Sequence, residues 1–441
     1  MLNFGFAKEV ITPDRGESLA GYFNPRPNRG AYDDLFVKAL VMSSGKTFSG
    51  IVLHDLCFLN HSLIETIKKA LVKSGIKFAD KIIFASTHTH SGPNTQRFFG
   101  ADANAEYLKS LVEKTVIAVQ RAFRNLAPGE VLTAKAECTY LAFNRRYWMK
   151  DGTVLTNPGR LNPNVVKSEG PVDYDIPLIA FRQDGEIRLL IANIVNHTDT
   201  IGNDMVSADW PGRMERELQN YFGYDLPVMT LIGCSGNINH FNIKTDADQT
   251  NYKETNRVGK CYASAIIAGL NLLRPIKDDS LKVDSTVINV PFYTISEEEF
   301  KRAKEILKKT KNCKTDENMT SEGIAKGEGP VARFFAEQLI AFKESCSGKK
   351  RDFIMMSIKI GKDIGVVSIP GEPFTEIGLA IKEKSKFPLT MVATLAMGEL
   401  GYIPMPECYN RGGYEILPIE GGTPAKDTAP RLIETGIKLL K

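Results

Sequence analysis

A chain of 441 residues with 43% hydrophobic content is long enough to bury a large core, as one domain or as two closely packed ones. Its 56 basic and 52 acidic residues leave a net charge of +4, so no bulk field calls for nucleic acid or an acidic membrane surface. Seven scattered cysteines with no Cys-x-x-Cys pair, an N-terminus without a basic segment and apolar run, and no stretch near the roughly 18 apolar residues of a membrane span predict a cytoplasmic protein with reduced thiols.

Phe4 to Ile11 alternates like a strand. After Thr12-Pro13-Asp14, a loop rich in Gly, Asn and Pro runs to about Tyr32, and a loop that long commonly borders a site. Leu35 to Ser43 and Phe48 to Leu56 are strands joined at Ser44-Gly45-Lys46. The second ends in His54-Asp55, and its apolar flanks make His54 a core histidine. Asn60 to Ser74 has helical spacing, with Ile64, Ile67, Leu71 and Val72 on one face. It leads into the apolar run Lys81-Ile82-Ile83-Phe84, which completes a strand-helix-strand unit and predicts a parallel pair. That run delivers Ala85-Ser86-Thr87-His88-Thr89-His90-Ser91-Gly92-Pro93-Asn94. Side chains alternate along extended backbone, so His88 and His90 point the same way and address one ligand or one metal. Two histidines merely capping a strand end are the alternative.

Ala105 to Leu126 spaces its apolar residues as a helix, stopped by Ala127-Pro128-Gly129. Glu130 to Leu141 forms one or two strands, followed by Asn144-Arg145-Arg146-Tyr147-Trp148 and a Gly/Pro/Asn-rich loop to about Gly170. Paired arginines in a loop are usually solvated. Strands Ile176 to Arg182 and Ile187 to Val195 meet at Gln183-Asp184-Gly185, and the second terminates in Asn196-His197, as α/β sites often do. Asp209 is a plausible N-cap for a helix to about Tyr221. Val228 to Ile232 then feeds Gly233-Cys234-Ser235-Gly236-Asn237-Ile238-Asn239-His240. Its glycines allow close backbone approach and its polar groups offer donors to an anion, a pattern shared with ordinary tight turns. A helix follows from about Asn251 to Leu273.

Ser296 to Lys350 is the most polar region and predicts two helices around a Gly-rich link, Gly323 to Gly329, as a peripheral insertion. Phe353 to Ile360 and Ile364 to Ile369 make a hairpin that runs into Pro370-Gly371-Glu372-Pro373-Phe374-Thr375. Glu372 sits at this turn's tip before a helix to about Lys384; complementing the helix N-terminus alone would be worth under about 1 kcal/mol. Leu389 to Leu395 leads to Gly398-Glu399-Leu400-Gly401-Tyr402, and Ala429 to Leu440 is a closing amphipathic helix. There is no internal sequence repeat.

Three of the six histidines, His88, His90 and His197, stand just past apolar strands, as do Glu372 and Tyr402. Strands that share one sheet end would bring these groups together. Two or three imidazoles with a carboxylate are the ligand set of a catalytic zinc that keeps a position open for water. The expected fold class is α/β, a mixed β-sheet core flanked by helices, with the zinc site at the strand ends.

Thr87-His88-Thr89-His90-Ser91-Gly92-Pro93, with Phe143-Asn144-Arg145, His197-Thr198, Ser207-Ala208-Asp209, Pro370-Gly371-Glu372-Pro373-Phe374-Thr375, Gly401-Tyr402 and Tyr414-Glu415, resembles the catalytic domain of the neutral/alkaline, non-lysosomal ceramidases. The order and approximate spacing hold across essentially the whole chain. The resemblance implies one ceramidase-like catalytic domain over residues 1–441, with the helical insertion at about 296–350 and without the family's secretory signal or C-terminal immunoglobulin-like domain. It implies Zn2+ bound by His88, His197, Glu372 and Tyr402, with His90, Arg145 and Tyr414 around the substrate head group and the anionic intermediate. The family carries Gly-Asp-x-Ser-Pro-Asn, whose serine is a nucleophile or close participant; this chain has Asn239 at the serine position, and Ser235 is out of register.

With that departure, the expected activity is a zinc-dependent amidohydrolase that splits an N-acyl amide by metal-activated water. His90 serves as general base or acid, Arg145 and Tyr414 stabilise the oxyanion, and Asn239 is an amide donor to substrate. The expected partner is a small-molecule or lipid-like acyl substrate, ceramide included. A metal hydrolase for a soluble acylated sugar or sugar-acid ester, and a non-catalytic protein that retains the metal-binding scaffold, are the alternatives.

Overall fold

The computed structural model describes residues 2–22, 24–97, 100–313, 329–419 and 422–441. Short apolar runs rich in branched residues become the central strands of three sheets, and amphipathic runs become helices against them. The first sheet contains β1 (Asn3–Val10), β2 (Phe36–Ser44), β3 (Thr47–His54) and, after α1 (His61–Lys73), β4 (Ile82–Ser86), in the order β4-β3-β2-β1. Helix α2 (Ala105–Arg124) lies against β1 and β2.

The second sheet contains β5 (Glu130–Glu137), β6 (Asp175–Gln183), β7 (Glu186–Ile194) and, after α3 (Asp209–Phe222), β8 (Val228–Ile232), in the order β8-β7-β6-β5. Helix α4 (Tyr252–Leu270) packs on α3. The third follows β9 (Leu281–Pro291) and the paired helices α5 (Glu297–Lys309) and α6 (Pro330–Ser345). It adds β10 (Lys350–Ile360), β11 (Ile364–Ser368) and, after α7 (Thr375–Lys384), β12 (Leu389–Ala393), in the order β9-β10-β11-β12. Helix α8 (Thr428–Leu439) covers it from outside.

One unit recurs in all three sheets: an antiparallel hairpin, a helix, then a strand parallel to the hairpin's second strand. The units are β2-β3-α1-β4, β6-β7-α3-β8 and β10-β11-α7-β12. Their hairpin turns need left-handed backbone, which Gly45, Gly185 and Gly361 supply at φ 57°, 81° and 57°. The recurrence is one of topology, since the sequence carries no repeat. A shared core joins the sheets, with Leu53 and Phe84 from the first, Phe181 and Ile191 from the second, and Ile358 and Val366 from the third.

The carboxyl ends of the parallel pairs are stitched to one another. Ala85 bridges Ala396, Thr89 bridges Thr198, and Thr394 donates its N–H to the Ile232 carbonyl at 2.8 Å. Six strand exits therefore open on one place, at the edge of all three sheets.

The structure departs from sequence expectation in several elements. β9 alternates exposed and half-buried residues along a sheet edge, and that weak pattern gave no strand signal. The loop expected up to Gly170 contains a small sheet of Arg146–Met149, Val154–Thr156 and Val165–Ser168. Val72 is exposed, and Leu63 takes its place on the buried face of α1, which Asn60 caps. Asp209 is not a cap: it is the first residue of α3 at φ 57°, and its carboxylate accepts from Thr200. The expected Gly-rich link lies outside the described residues except for Gly329. Among the described residues no helix is long and apolar enough to cross a membrane.

Candidate metal centre and active site

His88 leaves β4 at φ 63°, in the left-handed region that costs a branched-chain or aromatic residue free energy. The backbone is therefore not extended through His88-Thr89-His90, and simple alternation does not orient the two imidazoles. They meet edge to face instead, with ring centroids 4.8 Å apart and Nε2 atoms 3.4 Å apart. The Nδ1 of His88 lies 2.9 Å from the Cys57 carbonyl, which can only accept, so Nδ1 carries a proton and Nε2 is the atom turned to Glu372.

His197 follows β7, and its carbonyl is held by the indole N–H of Trp210 at 2.8 Å. Glu372 follows β11 at the turn allowed by Gly371, whose φ is 70° and whose added Cβ would lie 2.6 Å from the Gly401 carbonyl. Residues 372 and 373 pair in parallel with 402 and 403, so Glu372 sits beside Tyr402. Its Oε2 lies 3.2 Å from His88 Nε2 and 3.3 Å from His197 Nε2.

This triangle fits a metal. Glu372 Oε2 is buried and makes no directed hydrogen bond among the described residues, although two imidazole nitrogens stand beside it. The three donor atoms lie within 4.8 Å of one another, and two imidazoles with one carboxylate form a zinc-type donor set. Electrostatics agree. Burial favours the neutral forms, yet His88 holds Glu372 well below the usual carboxylate range and Glu372 raises His88, so the pocket calls for a positive charge.

Cys57, His88 and His90 form a second cluster of potential donors. It is the weaker candidate, because His88 Nδ1 is committed to the Cys57 carbonyl and burial pushes the Cys57 thiol up, keeping it protonated.

Arg145 is buried rather than solvated, and so is Arg146. The reason is Glu415, which lies between them with no exposure: Oε1 is 3.0 Å from Arg145 Nε, and Oε2 is 2.7 Å from an Arg146 terminal nitrogen. Glu169 completes the charge balance on Arg146. So anchored, Arg145 reaches to 3.4 Å from His197 Nε2 and covers the rings of Tyr402 and Tyr414 at 5.1 and 5.2 Å. Burial and the Glu372 carboxylate raise Tyr402 strongly, and burial with the Glu415 carboxylate raises Tyr414, so both phenols stay protonated as donors.

His90 is enclosed by the long N-terminal loop, as the sequence suggested for such a loop. Gly21 packs so closely that an added Cβ would lie 2.3 Å from the imidazole, and the Tyr22 ring stands edge-on at 5.6 Å. Burial and the neighbouring His88 hold His90 well below its ordinary value, so it is neutral and can take up a proton. His54 is a core histidine, bonded to Thr115 at 3.0 Å.

Asn239 pairs with Phe143 in a two-residue ladder. Its amide donates to Asn157 at 2.9 Å and its oxygen accepts from the Phe241 N–H at 3.1 Å. Ser235 lies on the same loop, close to Gly236, whose carbonyl accepts from Arg145 at 2.6 Å. A cavity of about 720 Å³ runs along residues 149–164, lined by neither the imidazoles nor Glu372.

The sequence-selected residues His88, His90, His197, Glu372, Tyr402, Arg145 and Tyr414 are thus one neighbourhood. Cys57, Gly21 and Asp199, whose Oδ1 lies 3.1 Å from His240 Nδ1 and whose charge acts on His90, belong to it without a sequence signal, and Glu415 stands in a recognised motif without an assigned task.

No known protein-family profile matches the sequence. Among solved structures, the chain is similar to the crystal structure of neutral ceramidase from Pseudomonas aeruginosa, with a TM-score of 0.71 at 17% identity over 100% of this chain and 74% of that one. A structure described as ceramidase complexed with C2 matches over the same shares, with a TM-score of 0.71 at 16% identity. The mixed α/β architecture of this chain is that of the ceramidases.

Proposed function

We propose that this chain, with its ceramidase fold, is a zinc-dependent hydrolase of the neutral ceramidase type that cleaves the amide bond of an N-acyl compound. The observation that carries the reading is the unpartnered Glu372 Oε2 between the Nε2 atoms of His88 and His197. Tyr402, in register with Glu372, is the fourth ligand in this reading. A zinc ion there supplies Lewis acidity and a water acidic enough to attack near neutral pH.

The chain's own groups do the rest. His90 is neutral, next to His88, and free to accept a proton and return it to the leaving nitrogen. Arg145 and Tyr414 offer fixed donors to the developing oxyanion, and their burial means that little solvent has to reorganise. Asn239 replaces the hydroxyl of the ceramidase motif and has one N–H left for substrate after bonding Asn157. Residues 1–441 act as a single catalytic unit in this reading, with the helices near 296–350 as an insertion, because all three sheets supply residues to one centre.

The test combines metal analysis with hydrolysis of short-chain N-acyl amides by the full chain. His88→Ala should remove bound zinc and turnover together. Full zinc occupancy in that variant would sink the ligand assignment, and labelling of Ser235 by a serine-directed covalent probe would sink the water mechanism.

A further inference from the structure

The long N-terminal loop that encloses His90 is tied down by a buried side chain the mechanism above does not use. Ser18 and Leu19 pair antiparallel with Pro27 and Arg26, Leu19 also bridges Pro93, and the Ala20 N–H donates to the Gly92 carbonyl at 2.9 Å. Arg26 is thereby carried in beside the turn that presents His90, with 7% of its surface left exposed. Its guanidinium donates to the carbonyls of Ala20 at 2.7 Å, Asn203 at 3.1 Å and His90, and it covers the Tyr22 ring at 4.1 Å. Three segments far apart in sequence meet at this one group. Five donors on a rigid plane can serve three carbonyls at once, which the single nitrogen of a lysine cannot.

The charge is not there for an ion pair. Among the described residues every side-chain hydrogen bond of Arg26 goes to a carbonyl and none to a carboxylate, and Asp204, an acid near enough to act on it, is held by Arg29 at 3.2 Å. Its Nε has no partner among the described residues, and burial works against the cation. A buried guanidinium without an anion costs free energy, so its place here reflects what it constrains rather than what it stabilises.

What Arg26 constrains is His90. The His90 N–H is held by the Thr198 carbonyl at 3.0 Å and the His90 carbonyl by Arg26, so the main chain is fixed on both sides of the ring. Gly21 and Tyr22 cover the ring itself, and Arg26 sets both, through the Ala20 carbonyl before them and the phenol ring of Tyr22. We propose that Arg26 is a positioning residue that acts through His90: it fixes where the imidazole stands and keeps it enclosed by tying the His90 carbonyl to the loop that carries Gly21 and Tyr22. The effect on turnover rests on the amide-hydrolase reading of the same centre, whereas the seating of His90 does not.

The experiment measures both on the full chain. Diethyl pyrocarbonate labels reachable imidazoles, and peptide mass spectrometry gives the rate at each histidine, with the core residue His54 as the internal report on folding. In zinc-loaded Arg26→Ala, His90 should be labelled at least about tenfold faster than in wild type while His54 stays protected, as expected of a local opening. Zinc content should persist, and with N-hexanoylsphingosine as substrate kcat should fall about a hundredfold with KM unchanged within about threefold, because a displaced proton-transfer group loses rate rather than binding. Arg26→Lys keeps the charge with one donor nitrogen, and should lie between the two in both labelling and kcat; it decides the matter if alanine prevents folding. Equal His90 labelling in wild type and variants would overturn the inference, and so would labelling of His54 that rises together with that of His90, since Arg26 would then only hold the fold. A freely labelled His90 with unchanged kcat would overturn the positioning role. A wild type that turns over no amide would sink the hydrolase reading instead, and the labelling rates alone would then decide whether Arg26 seats His90.

Discussion

Replacing Glu415 by Gln tests whether the anchoring of Arg145 is electrostatic. Glu415 has no exposure and joins two guanidiniums at 3.0 and 2.7 Å, with the Thr156 hydroxyl donating to Oε2 at 2.7 Å. A glutamine fills the same volume, but either orientation of its amide turns an NH2 towards one of the arginines. Breaking a buried pair by removing one partner costs about 3–5 kcal/mol, and that is the destabilisation expected at pH 7. Burial alone would raise this carboxyl, but Arg146 and Arg145 outweigh burial and hold it below its ordinary value. The folded state therefore binds the proton more weakly than the unfolded state does. Its contribution is complete above the unfolded value, about 4.3, and is lost as pH falls through the folded one. Urea unfolding of wild type and Glu415→Gln at pH 7, 5 and 4 measures the gap. It should be constant between pH 7 and 5 and begin to close below, at up to about 1.4 kcal/mol per pH unit. A variant within about 1 kcal/mol of wild type at pH 7, or a gap that widens in acid, would refute the reasoning.

Gly21→Ala should drive a methyl group into His90, since φ is 93° and the added Cβ would lie 2.3 Å from the ring; zinc content should persist while amide hydrolysis falls about a hundredfold, as assayed by metal analysis and initial rates. Unchanged rates would separate His90 from the chemistry. Trp210→Phe removes the indole bond to the His197 carbonyl at 2.8 Å, and a loss of about 1–2 kcal/mol in chemical denaturation should come with weaker zinc retention on dialysis. Burial lowers His54 to about 4, so the unfolded chain takes up a proton there before the folded one does and stability declines as pH falls below 6.5. In His54→Gln the loss between pH 6.5 and 5 should be smaller than in wild type by about 1.5 kcal/mol, and equal losses would contradict the assignment.

The strands and helices that frame the centre were legible because their signals are local. The run Ile82 to Phe84 and the helix before it are each recognisable within a dozen residues. The candidate ligands were legible for a related reason: a histidine or glutamate directly after an apolar strand stands out against its neighbours. What stayed hidden depends on pairings between distant segments. Arg145 looks solvated until Glu415, 270 positions away, is seen beside it. The partnership of Asp199 with His240 is equally silent in sequence, and so is the loop that lays Gly21 on His90. The left-handed turn at His88 was unreadable because nothing but glycine announces such a backbone.

The three recurring units meet only at their strand exits, and this has a kinetic side. Each hairpin and its following helix can form from nearby chain, but His88, His197 and Glu372 come from three separate units spread over most of the sequence. Contacts of such long range form slowly, because loop closure must precede any gain from them. The centre is then the last part of the molecule to assemble during refolding, and it assembles at the seam between units that are already shaped. Recovery of zinc binding after dilution from denaturant should lag behind recovery of secondary structure, which makes metal uptake a clock for the docking of the three sheets.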